Sequence, residues 1–182
     1  MEPTTETTTA ATATGRPHVE RLRFDLEEIR AELAQVVREI PPEAFDRAPA
    51  PGGPDLKSPQ QILQEIGTME EVSRRWAARQ EMPDWNAVWQ SLDGDTAEAV
   101  LSGLDRVRRD TLAYLDNCTE EQLQTPIPLP ESWYEYFGGA TRVEPEELIR
   151  WVAKHEYYHL GQLNTYGFLR AAGAAPAPHV EG

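Results

Sequence analysis

WVAKHEYYHLGQL, residues 151–163, sets His155, Glu156 and His159 in the order H-E-x-x-H inside a stretch with helical periodicity. Working outward, Leu148, Val152, His155, His159, Gln162 or Leu163, and Tyr166 recur three and four residues apart, on one stripe of a helix. Arg150, Lys154 and Tyr157 fall on the other side. The pattern predicts a helix over roughly residues 144–172. Pro145, Glu146 and Glu147 stand in its first turn, where the helix dipole favours acids, and Gly173 ends it. The two imidazoles therefore point into a protein interior rather than into water.

Three more segments carry the same period. Leu22, Leu26, Ile29, Leu33, Val36 and Ile40 predict a first helix over about residues 18–40, stopped by Pro41-Pro42. Ser58, Pro59 and Gln61 form a capping-box signature that opens a second helix running to Arg79. Ala97, Leu101, Leu104, Leu112 and Leu115 mark a third, over about residues 95–116. A short helix capped by Asp84 fills the interval before Asp93-Gly94. No strand alternation of useful length occurs. The expected fold is an all-α four-helix bundle with long connections between helices one and two and between helices three and four. The domain reading is a disordered tail over 1–17, a bundle over 18–173 and a loose tail over 174–182, in which His179 reads as solvent-exposed.

Charge and cysteine usage narrow the function. Seventeen Lys and Arg against 31 Asp and Glu leave a net charge of −14, which repels nucleic acid and anionic lipid. The one local basic run, with Arg106, Arg108 and Arg109, reads as a solvated helix face. The single Cys118 excludes an internal disulfide framework and an all-thiolate zinc site. The absence of a membrane-span pattern or a signal-peptide pattern makes a cytoplasmic protein the expectation. Neither nucleic acid nor a membrane is an expected partner.

H-E-x-x-H has three readings. A zinc protease of that motif needs a third ligand further along the chain, and the position where a metzincin carries histidine is Thr165. A di-iron bundle needs a second Glu-x-x-His, which the chain lacks. The third reading pairs the histidines with a residue from another helix. On helix two, Glu65 lies at core spacing between Ile62 and Met69, whereas Glu70 and Glu71 are expected to face solvent. A buried carboxylate needs a partner, so Glu65 is either a third metal ligand or a boundary residue reaching outward. Trp76 and Tyr158 read as core, and no substrate-anchoring arginine cluster is discernible. The aromatic run Trp133, Tyr134, Tyr136 and Phe137 either covers a pocket mouth or simply packs.

The segment EELIRWVAKHEYYHLGQLNTYGFLR resembles the H-x-x-x-H-x-G-Q-L segment of the DinB/YfiT-like metal-binding four-helix bundles, and the resemblance spans roughly residues 18–173. His155 and His159 match the two ligand histidines, and Gly161, Gln162 and Leu163 match the residues after them. SPQQILQEIGTMEE is similar to the Ser-x-x-x-Ile-Leu-x-His pattern, with Glu65 where that pattern has its histidine ligand. The resemblance implies a divalent ion (Zn, Ni, Fe or Mn) held by His155, His159 and Glu65, a 2-His-1-Glu set, and a low-molecular-weight thiol such as mycothiol or bacillithiol as cosubstrate to a small-molecule substrate. With the exposed helix faces it also implies a homodimer. Two functions follow as expectations: a metal-dependent, thiol-using transferase or isomerase, or a non-catalytic metal-binding or stress-response protein. Glu156, about 100° around the helix from His155, is expected outside the ligand set.

Overall fold

The computed structural model describes residues 15–48 and 56–171. Residues 1–14, residues 49–55 of the proline-rich connection, Gly173 and the C-terminal tail with His179 lie outside these. Four long helices dominate: α1 (Pro17–Arg38), α3 (Pro59–Arg79), α5 (Ala97–Asn117) and α7 (Pro145–Ala171). Short helices α2 (Pro42–Phe45), α4 (Trp85–Ser91) and α6 (Glu120–Gln124) sit in the connections. A two-residue antiparallel pairing joins β1 (Ile127–Pro128) to β2 (Arg142–Val143), Ile127 opposite Val143. It is too short to leave an alternation in the sequence. Between its strands the chain makes two 3-10 turns, over Glu131–Trp133 and Glu135–Phe137, and reverses at Gly138 and Gly139, whose φ values of 63° and 85° suit glycine.

Local chemistry sets the helix starts. The Ser58 hydroxyl accepts from the Gln61 amide while the Gln61 side chain accepts from the Ser58 amide, so the box that opens α3 is complete. Asp84 caps α4 and Thr96 caps α5. Arg16 ties the start of α1 to the end of α5 through the carbonyls of Leu115, Asp116 and Cys118.

Packing explains the long connections. Helix α1 packs on α7 and α5, and α3 packs on α5 and α7, so α1 and α3 face each other across one diagonal and α5 and α7 across the other. A connection that crosses a diagonal needs more chain than a turn between neighbours does. The two largest apolar clusters of the interior form two layers. One holds Leu33, Val37, Ile62, Ile66, Leu104 and Leu163; the other holds Leu22, Leu26, Leu115, Leu123, Ile149 and Val152.

A charged layer separates them, and here the sequence reading is corrected. Arg30, Glu70, Arg108 and Glu156, one from each long helix, are buried together. Arg30 Nε lies 2.6 Å from Glu156 Oε1, and its Nη2 lies 2.9 Å from Glu70 Oε2. Arg108 Nε lies 2.7 Å from Glu70 Oε1, and its Nη2 lies 2.5 Å from Glu156 Oε2. Glu70 thus faces the core rather than solvent, and Arg108 leaves the exposed face that Arg106 and Arg109 keep. Glu71 is also buried, held by Arg74 at 2.7 Å and Arg75 at 2.6 Å. Core arginines therefore exist, but they are spent on internal carboxylates. Two cations and two anions neutralise one another, which is what makes a buried charged layer tolerable.

Candidate metal centre

Adjacent helices α3 and α7 bring Glu65, His155 and His159 together, with one potential ligand atom from each lying within 4.8 Å of the others. His155 Nε2 and His159 Nε2 are 3.1 Å apart, and His159 Nε2 lies 3.6 Å from Glu65 Oε2. A tetrahedral zinc with bond lengths near 2.0 Å separates its ligand atoms by about 3.3 Å, so these spacings suit one ion. His159 is buried, while His155 and Glu65 are half-buried, leaving one side of the cluster reachable.

The surroundings prepare both imidazoles as neutral ligands. Burial pushes the His155 pKa down to about 4, with the neighbouring His159 adding to the effect. Burial also lowers His159, against the opposing influence of its hydrogen bond to Gln162 and of the Glu65 charge. His159 Nδ1 lies 2.7 Å from Gln162 Oε1, and Gln162 Nε2 donates to the Tyr158 hydroxyl at 3.0 Å. With Nδ1–H donating to Gln162, the Nε2 lone pair faces Glu65 and His155. Gln162 is therefore more than part of the apolar stripe. Tyr158 is 63% exposed and is not a core residue; its hydroxyl anchors Gln162 from outside. Glu65 Oε2 also receives the Lys57 ammonium at 2.6 Å, a partner the sequence reading did not weigh. Glu156 turns away from the cluster into the charged layer.

Next to Glu65 lies a cavity of about 370 Å³. Trp133, Tyr136 and Phe137 form one wall, and Trp151, one turn before His155, forms another. Trp151 stacks at a tilt against Phe137 and Tyr136, with centroids 5.7 and 6.4 Å apart. The aromatic run packs, as one of its two readings expected: Trp133, Tyr134 and Phe137 lie against the cluster of Leu129, Val143 and Leu148. Trp76 is half-buried and donates its indole N–H to the Pro128 carbonyl at 2.8 Å, securing the start of that excursion. Cys118 closes α5, buried, with its thiol pushed up by burial.

A bundle of four long helices with two imidazoles and a carboxylate gathered on one seam defines a class of candidate metal proteins. The sequence pattern of the DinB superfamily matches residues 25–163, and the chain belongs to that superfamily. Among solved structures it is similar to YfiT from Bacillus subtilis, with TM-score 0.63, 16% identity, and coverage of 90% of this chain and 93% of that one. YfiT is described as a probable metal-dependent hydrolase with an unusual four-helix bundle topology. The chain is also similar to a DinB-like protein, YjoA, from Bacillus subtilis, with TM-score 0.58, 19% identity, and coverage of 88% and 98%. At these identities the likeness establishes the fold. No curated protein matches the sequence.

Proposed function

We propose that the chain is a divalent-metal-dependent enzyme that uses a small thiol in a transferase or isomerase reaction, with Glu65, His155 and His159 as its metal ligands. The observation that carries this is the convergence of two neutral imidazole nitrogens and one carboxylate oxygen on a seam with an accessible side. A divalent ion held there would favour the thiolate form of a bound thiol. The remaining work belongs to the chain. Gln162 fixes the His159 tautomer, Tyr158 holds Gln162, and Lys57 balances the Glu65 charge whenever no cation does. Cys118 is buried with a raised pKa, so the reacting thiol comes from a cosubstrate.

The description of YfiT as a probable metal-dependent hydrolase supports metal dependence here. A non-catalytic metal-binding or stress-response role is the second reading, and Lys57 favours it, because its ammonium already compensates Glu65. A homodimer is part of the proposal. The groove between α1 and α7 presents acidic Asp25, Glu28 and Glu32 beside basic Arg150 and Lys154, with Tyr157 largely exposed, a self-complementary surface for two-fold pairing. No described helix is long and apolar enough to cross a membrane, in keeping with a proposed cytoplasmic location.

The test is thiol consumption by protein loaded with Zn, Mn, Ni or Fe, using mycothiol or bacillithiol and monobromobimane as electrophile. The proposal expects a metal-dependent rate that His159→Ala removes. Retained metal with no rate above background for either thiol would favour the non-catalytic reading.

A further inference from the structure

We propose that the cavity beside Glu65 is a substrate site selective for an uncharged, flat aromatic group bearing one hydrogen-bonding atom, which the Ser73 hydroxyl meets. This rests on the proposed function for the reaction it serves; of its observations only the charge of Glu65 is shared with the metal cluster.

The first observation is Ser73. It lies on α3 two turns beyond Glu65, is 1% exposed and lines the cavity. Its Oγ has no hydrogen-bond partner among the described residues. Hydroxyls inside helices ordinarily bond back to the carbonyl four residues earlier. Thr68 does so to Gln64 at 2.7 Å, and Thr111 does so to Val107 at 3.2 Å. Ser73 forgoes that bond. A buried hydroxyl left unpaired costs free energy that a ligand atom in the cavity would recover.

The second observation is the wall chemistry. Trp133, Phe137 and Trp151 supply flat apolar surface, while Trp85 and Tyr136 are 38% and 67% exposed and frame the entrance. Among the described residues lining it, no Lys, Arg or His is present, and Glu65 is the single charge. In the metal-free chain an anion entering would lose its hydration without gaining a counter-charge from the lining and would meet Glu65. A cation would be drawn to Glu65 only when no metal is there. The volume of about 370 Å³ falls at the small end of ligand pockets, which fits one or two fused rings rather than an extended chain.

Isothermal titration of the full chain, metal-loaded and metal-stripped, with 1-naphthol, 1-naphthoate, naphthalene and (1-naphthylmethyl)trimethylammonium tests this. Metal-loaded protein should bind 1-naphthol one to one with the ammonium probe at least about tenfold weaker, and metal-stripped protein should bind 1-naphthoate at least about tenfold more weakly than 1-naphthol. Ser73→Ala should weaken 1-naphthol about fivefold and leave naphthalene unchanged, because only the hydroxyl contact is lost. Trp151→Ala should weaken both. Equal or tighter binding of the naphthoate by metal-stripped protein, or of the ammonium probe by metal-loaded protein, would overturn the proposal, as would a Ser73→Ala variant that binds 1-naphthol like the parent. A parent protein that retains no metal after loading yet binds 1-naphthol would sink the metal reading and leave the cavity assignment standing.

Discussion

Glu70 illustrates how single residues decide stability in this bundle. Burial works to raise its carboxyl pKa, but the Arg108 and Arg30 guanidinium groups outweigh it and hold the carboxyl below its ordinary range. A carboxyl depressed in the folded state stabilises the protein above the unfolded value of about 4.3, and that contribution is lost as pH falls through the folded value. Unfolding free energy measured by urea titration should therefore drop as pH falls below about 4, and Glu70→Gln should flatten that acid slope. At neutral pH the same variant leaves two arginines short of a counter-charge, at a cost of about 3 kcal/mol. A loss under about 0.5 kcal/mol, the size of an ordinary surface substitution, would mean the layer is not held by its charges. The layer escaped the sequence reading because each member, taken alone, looks like a solvated charge. The signal was positional: Arg30, Glu70, Arg108 and Glu156 stand four residues after the buried Leu26, Ile66, Leu104 and Val152. Only as a foursome do they cancel.

At the scale of elements, the long helices were legible because their apolar periods and caps agree. The connections were not, because α2, α6 and the β1–β2 pairing are stabilised by what they pack on rather than by any local period. The α3 start shows what a cap contributes to function. Ser58 fixes the first turn of the helix that carries Glu65 at its second turn, and Lys57, just before it, reaches Glu65 itself. Ser58→Ala should destabilise the fold by about 1 kcal/mol, read as a lower urea midpoint with an unchanged slope. An unchanged midpoint would show that packing alone sets this helix start. Helical spacing put the histidine pair inward and left Glu65 open between ligand and boundary residue, with the family resemblance pointing to the ligand, whereas Gln162, Tyr158 and Lys57 depend on side-chain reach that spacing does not encode.

For the molecule as a whole, diagonal placement of successive helices makes α3 and α7 neighbours, and this seats the candidate centre and the aromatic cavity on one seam. The α1–α7 groove shares no lining residue with the aromatic cavity, but it includes Tyr158, which holds Gln162 behind His159, so pairing through it would leave the cavity free while touching the outer support of the centre. Sedimentation at micromolar concentration should show a dimer, and Lys154→Glu together with Arg150→Glu should shift it to the 20.5 kDa chain by setting like charges against Asp25 and Glu28. A monomer in the parent protein would remove the homodimer from the account.

The central claim is the ligand set, and metal content of purified protein, determined by elemental mass spectrometry after exhaustive dialysis, tests it most directly. The account predicts about one divalent ion per chain in the parent, its loss in His155→Ala and His159→Ala, and weakened retention in Glu65→Gln. Glu156→Gln, compared at a temperature where it stays folded, should retain the ion, because Glu156 faces Arg30 and Arg108 instead of the histidines. Parent-like metal content in Glu65→Gln, with loss in a folded Glu156→Gln, would contradict it.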